Sequence, residues 1–161
     1  MYTPAQRTMM QFIAAKAHNA GVPPELALAF AWLESRFDPA AKGDALWAEK
    51  YPDRYKRFVL ENPALSANPY KHDRALWHSY GLFQLLAPHF VHGSEHPHLL
   101  YNIDVNTDRA LTFIKRLLRE NGGDFVATRL AYAGASKASA DTQQLLESRV
   151  RSALHRFEGV A

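Results

Sequence analysis

The sequence, 161 residues long, predicts a mainly α-helical protein folded as a single domain over residues 1–161. Three observations carry this. Apolar residues recur at three- and four-residue spacing in several stretches. Those stretches open on capping residues or proline and stop on glycine or proline. No long run alternates apolar and polar residues as a sheet strand would, and no internal repeat or low-complexity linker divides the chain.

Taken in order, Thr3-Pro4-Ala5-Gln6 reads as a capping box with proline at the first helical position. The helix it opens carries Met9, Phe12, Ile13 and Ala17 on one side. It is expected to stop near Asn19-Ala20-Gly21, where glycine takes a left-handed cap. Pro23-Pro24-Glu25 opens a second helix after a very short link, so the two are expected to be neighbours. Phe37-Asp38-Pro39 is the expected stop, because the residue before proline avoids helical dihedrals. Residues 43–80 are aromatic and charged, and Pro52, Pro63 and Pro69 break them into pieces. Short helices are expected there, around residues 45–50 and 53–60. Residues 82–86 form a short apolar segment closed by Ala87-Pro88. Asn102 is a candidate N-cap for a helix carrying Ala110, Leu111, Ile114, Leu117 and Leu118, with Asn121-Gly122-Gly123 as its stop. Asp124 caps another helix running to about Tyr132. A last amphipathic helix carries Leu145, Leu146, Val150, Ala153, Leu154 and Phe157.

Apolar residues make up 47% and charged residues 22%, both ordinary for a globular protein with a real core. No apolar stretch reaches roughly 18 residues, so no membrane span is expected. Met1-Tyr2-Thr3-Pro4 has no basic stretch leading into an apolar one, so no secretory signal is expected. With no cysteine, disulfide and thiol chemistry are excluded. The net charge of +3 is spread along the chain and is densest at Arg54, Lys56 and Arg57. Such an excess suits an anionic polymer or simply a solvated surface. No nucleic-acid motif accompanies it, so nucleic acid is not an expected partner, and a monomer is expected.

Glu34 is the residue with most to say about chemistry. It follows residues 26–33, which are apolar all round and therefore read as a buried helix. Counting back three, four and seven places reaches Ala31, Phe30 and Ala27, so Glu34 shares a face with core positions. A carboxyl group at the edge of a core loses hydration and its pKa rises, as a proton donor near neutral pH requires.

Four strings then follow one another: Glu34-Ser35, Gly81-Leu82-Phe83-Gln84, Asn102-Ile103, and Ala131-Tyr132-Ala133-Gly134-Ala135. Together they resemble the soluble lytic transglycosylase family, whose catalytic domain has a lysozyme-like fold. Residues 21–40 resemble the segment that leads into that family's catalytic Glu-Ser pair. Gly81 to Gln84 is similar to its Gly-Leu-Met-Gln motif, with Phe83 in place of methionine. Asn102-Ile103 is similar to its Asn-Ile motif, and Ala131 to Ala135 to its Ala-Tyr-Asn-Ala-Gly motif, with Ala133 where asparagine is usual. The long separation of Ser35 from Gly81 is similar to phage-encoded members. The aromatic-rich insertion at about 43–80 reads either as an extra wall of a sugar groove or as a satellite core beneath a long loop.

The resemblance implies a peptidoglycan-degrading enzyme with no cofactor. It would cleave the MurNAc-GlcNAc β-1,4 bond of glycan strands and leave a 1,6-anhydro product. Glu34 would be the catalytic acid and base, with Ser35, Ser79, Phe83, Gln84 and Tyr132 as candidate substrate-binding residues. Ser35 also reads as support for the turn or for Glu34, Phe83 as an apolar floor for a sugar, and Gln84 as a buried amide satisfied by backbone. Two other readings stay open. A hydrolysing muramidase would need a second acid, and Asp38, Asp44, Asp73 and Asp104 are available. A wall-binding structural component of a virion or secretion machine would need no chemistry at all. Action on the wall would place the protein in the periplasm, reached through a membrane lesion or with a phage particle. His72, His78, His89, His92, His96 and His98 gather near Glu95, but without a metal-binding spacing, so they read as a solvated loop and no metal site is expected.

Overall fold

The computed structural model describes residues 1–43, 45–136 and 138–160, and among these it is mainly helical, as the sequence predicts. The helices are α1 (Pro4–Ala20), α2 (Pro24–Ser35), α3 (Leu46–Lys50), α4 (Pro52–Glu61), α5 (Pro63–Ser66), α6 (Ala87–Phe90), α7 (Ile103–Glu120), α8 (Phe125–Tyr132) and α9 (Ala140–Phe157). Single 3-10 turns lie at Arg74–Trp77 and Pro97–Tyr101. The chain forms two units, one of Met1–Phe37 with Thr107–Ala161, the other of Asp38–Asn106.

In the first unit the caps fall where the sequence puts them. Thr3 and Gln6 close a reciprocal capping box, and Gly21 ends α1 in the left-handed region at φ 68°. Lys115 on α7 donates to the Ala20 carbonyl at 2.7 Å, and Lys16 on α1 pairs with Asp108. The apolar face of α2 is fully buried from Leu26 to Ala31 and packs against α1 and α9. α2 ends at Ser35, before the expected stop at Pro39. Arg36 and Phe37 both take positive φ, 56° and 66°, which breaks the helix by itself. That double left-handed turn seats Phe37, 2% exposed, among Tyr2, Trp32 and Phe157. The Gln6 side chain donates to the Arg36 carbonyl and holds the turn.

In the second unit, Ser79–Tyr80 and Leu85–Leu86 pair antiparallel, with Ser79 opposite Leu86. These two-residue strands are too short to show an alternating pattern in sequence. Residues 41–43 extend the ladder, since Gly43 N–H donates to the Ser79 carbonyl and Gly81 N–H to the Ala41 carbonyl. The aromatic insertion builds a core of its own. Tyr55 is 2% exposed, its hydroxyl donates to the Leu76 carbonyl at 2.8 Å, and its ring meets Trp47 and Trp77 edge-on.

Candidate functional site

In the first unit the candidate site is built by α2 and α8. The apolar packing of α2 leaves Glu34 in its last turn with a side chain 20% exposed. Loss of hydration raises its pKa from 4.5, against the opposing pull of the Arg129 charge and hydrogen bond. Arg129 Nη2 donates to Glu34 Oε1 at 2.5 Å, and the arginine side chain is only 10% exposed. A pair this buried is held by geometry and mutual charge rather than by water.

Asp124 caps α8 by accepting from Ala127 N–H, and the helix carries Arg129 and Tyr132 one turn apart on one face. The Tyr132 ring lies 5.1 Å from that of Phe30 and 5.4 Å from that of Phe113. Burial and the nearby Glu34 charge push the Tyr132 phenol well above its ordinary pKa, so it stays a neutral hydroxyl. The Arg129 guanidinium packs over both Phe30 and Tyr132. Of the sequence-predicted residues, then, Glu34 and Tyr132 come together. Ser35 follows Glu34 but its hydroxyl donates back to the Ala31 carbonyl at 3.2 Å, within the last turn of α2. Arg129 was not among the candidates. A lone arginine in a short helix reads as surface, and the cue available was its position three residues before Tyr132.

In the second unit the Gly81-Leu82-Phe83-Gln84 string forms a tight turn between the strands. Gly81 sits at φ 75°, and a Cβ there would meet Asn106 Nδ2 at 2.6 Å and the Leu100 carbonyl at 2.8 Å. Asn106, in the first turns of α7, uses its whole amide. It donates to the Tyr80 and Leu100 carbonyls and accepts from Phe83 N–H. Asn102 caps α7 by accepting from Val105 N–H, which fixes the register that presents Asn106 to the turn. Phe83 has no exposed surface, so it supports this turn from beneath rather than offering a face to a sugar. Gln84 is half-buried at φ 46°, and its Nε2 donates to the Ala41 and Gly81 carbonyls. Gly43 is the small residue over this amide, because a Cβ there would lie 2.5 Å from Gln84 Oε1 and 3.1 Å from Ser79 Cβ. Asn106 and Gly43 were also missed by sequence reasoning, since neither lies in one of the four strings.

Two of the candidate second acids do local work. Asp38 accepts from Ala40 N–H in a turn, and Asp73 caps the Arg74–Trp77 turn by accepting from Ala75 N–H. Asp104 is exposed in the first turn of α7, and Asp44 lies outside the described residues. Three of the histidines make local contacts. His78 Nδ1 lies 2.9 Å from the Gly43 carbonyl, His89 packs on Phe58, and His96 caps the Pro97–Tyr101 turn.

No curated protein and no solved structure matches the chain. One family model, the transglycosylase SLT domain, matches residues 11–150, a span that includes Glu34-Ser35, the Gly81 turn, the start of α7 and Tyr132. That match covers most of a mainly helical chain, and the chain belongs to the SLT family of lysozyme-like peptidoglycan lytic transglycosylases.

Proposed function

We propose that the protein cleaves the MurNAc-GlcNAc β-1,4 bond of peptidoglycan glycan strands, with Glu34 as the single acid and base. The observation that carries this reading is the Glu34 carboxyl, desolvated in the last turn of α2 and raised in pKa. Neutral Glu34 gives its proton to the glycosidic oxygen as the C1–O bond breaks. The carboxylate left behind takes the proton of the muramyl C6 hydroxyl, whose oxygen bonds to C1 of the same sugar. The 1,6-anhydro ring forms and no water is consumed. One carboxyl group suffices because the nucleophile belongs to the substrate and its effective concentration is high. Among the described residues the ion pair made by Glu34 is with the Arg129 guanidinium.

Tyr132 donates its hydroxyl toward the reacting sugar. Gln84 presents its Oε1, its amide nitrogen being occupied by backbone. Ser79, which with Gln84 lies against Gly43, offers its hydroxyl to a sugar, and Ser35 and Phe83 act as supports. Residues 1–161 act as one catalytic domain, working as a monomer on the wall side of the membrane. Mass spectrometry of products from purified peptidoglycan tests this. Muropeptides ending in anhydro-MurNAc are expected. Reducing-end products alone contradict it and favour the muramidase, and absence of any product favours a wall-binding role.

A further inference from the structure

The Glu34–Arg129 pair sets a problem that the proposed reaction does not solve. A proton donor must be neutral, yet a buried cation lies on its carboxyl group and favours the ionised form. Arg129 itself is held firmly. Its guanidinium carbon lies 5.3 Å from the Phe30 centroid and 5.5 Å from that of Tyr132. Its Nε is buried with no hydrogen-bond partner among the described residues. Arg129 also lines a cavity with Leu33, Leu146 and Arg149. Leaving a polar atom of a charged group unsatisfied is costly, and the position persists because Glu34 balances the charge.

Building on the Glu34 reaction above, we propose that Arg129 is a positioning residue that holds Glu34 as an oriented, ion-paired carboxylate, and that Glu34 turns proton donor only as this pair opens. The two half-reactions then draw on Arg129 in opposite senses. It opposes protonation of Glu34 before the C1–O bond breaks. It favours the carboxylate formed as the proton passes to the glycosidic oxygen, and the pair must loosen again for that carboxylate to accept the C6 hydroxyl proton and return Glu34 to its neutral form. The other groups around the pair do not replace it. Tyr132 on α8 is a neutral phenol, and Arg149 on α9 reaches the cavity shared with Arg129. Arg36 lies over Trp32, and α1 sends Gln6 to the Arg36 carbonyl.

The test is the pH profile of kcat/KM for wild type, R129M and R129K, alongside a carbon NMR titration of the Glu34 carboxyl that needs no turnover. In R129M the plateau is expected to fall, because the carboxyl loses its anchor. The alkaline limb and the NMR midpoint are expected to move upward by about 1–3 pH units, with KM little changed. R129K is expected to bring both back toward wild type. A merely structural arginine would lower the plateau without moving either, and that result overturns the proposal. Should R129M fail to fold, R129Q, which keeps donors but no charge, reads the same two quantities. E34Q separates the two ideas. Turnover retained in E34Q sinks the Glu34 reaction itself, while an inactive E34Q with an unmoved R129M limb sinks only the role of Arg129.

Discussion

At the scale of single residues, the balance at Glu34 is between burial and one cation. Burial is the larger effect, so its folded pKa lies above the unfolded value of 4.5. The folded protein then holds that proton more tightly than the unfolded chain. The stabilisation this brings is fully present below 4.5 and is lost as pH rises through the folded pKa. E34Q has no such proton. Wild type is therefore expected to lose stability relative to E34Q as pH rises above 4.5, measured by chemical denaturation at each pH. An unchanged difference would mean that Glu34 titrates as an ordinary surface acid. Glu34 was legible in the sequence because an unbroken apolar run precedes it. Arg129 was not, because burial of an arginine depends on which side of α8 meets α2, and α8 is too short to declare its faces.

At the scale of elements, the turn from Gly81 to Gln84 is latched to the start of α7 by one side chain. Asn106 satisfies two carbonyls and one N–H there, and Gly81 leaves the room for it. Gly81→Ala combines a left-handed conformation with contacts against backbone and amide. It is expected to destabilise the protein by about 3 kcal/mol, read from the shift in denaturation midpoint. A shift under about 0.5 kcal/mol, the size of an ordinary surface change, would show that the latch is loose. The caps at Thr3, Asn102, Asp124 and Gly21 were legible because capping chemistry is local. The end of α2 was not. Arg36 and Phe37 accept positive φ in exchange for seating Phe37 among Tyr2, Trp32 and Phe157, a tertiary gain invisible in local sequence. The paired strands escaped for a different reason, being only two residues each.

At the scale of the molecule, family membership was carried by four short strings, and the family match spans residues 11–150. The long aromatic segment before Gly81 was legible as composition but not as structure. Tyr55 and Trp77 serve a local core, whereas Trp47 and Tyr51 remain 38% and 45% exposed. Burial within that same unit also lowers the pKa of His89 and His98 below 6.5. For these groups the folded state favours the neutral ring, so acidification draws protons onto the unfolded chain first. Stability is expected to fall as pH drops below 6.5, opposite in sign to the Glu34 contribution. His89→Phe, which keeps the contact with Phe58, is expected to flatten that decline in a thermal-melt series. An unaltered slope would assign the decline elsewhere.

The central claim is that one desolvated carboxyl group performs both proton transfers. It is tested most directly by the rate at which E34Q releases anhydromuropeptides from peptidoglycan, with its fold verified by an unchanged far-UV spectrum. A loss of about 100-fold to 10,000-fold is expected for removal of a general acid and base. Anhydro product released by folded E34Q within about tenfold of wild type, a barrier change near 1.4 kcal/mol, would contradict it.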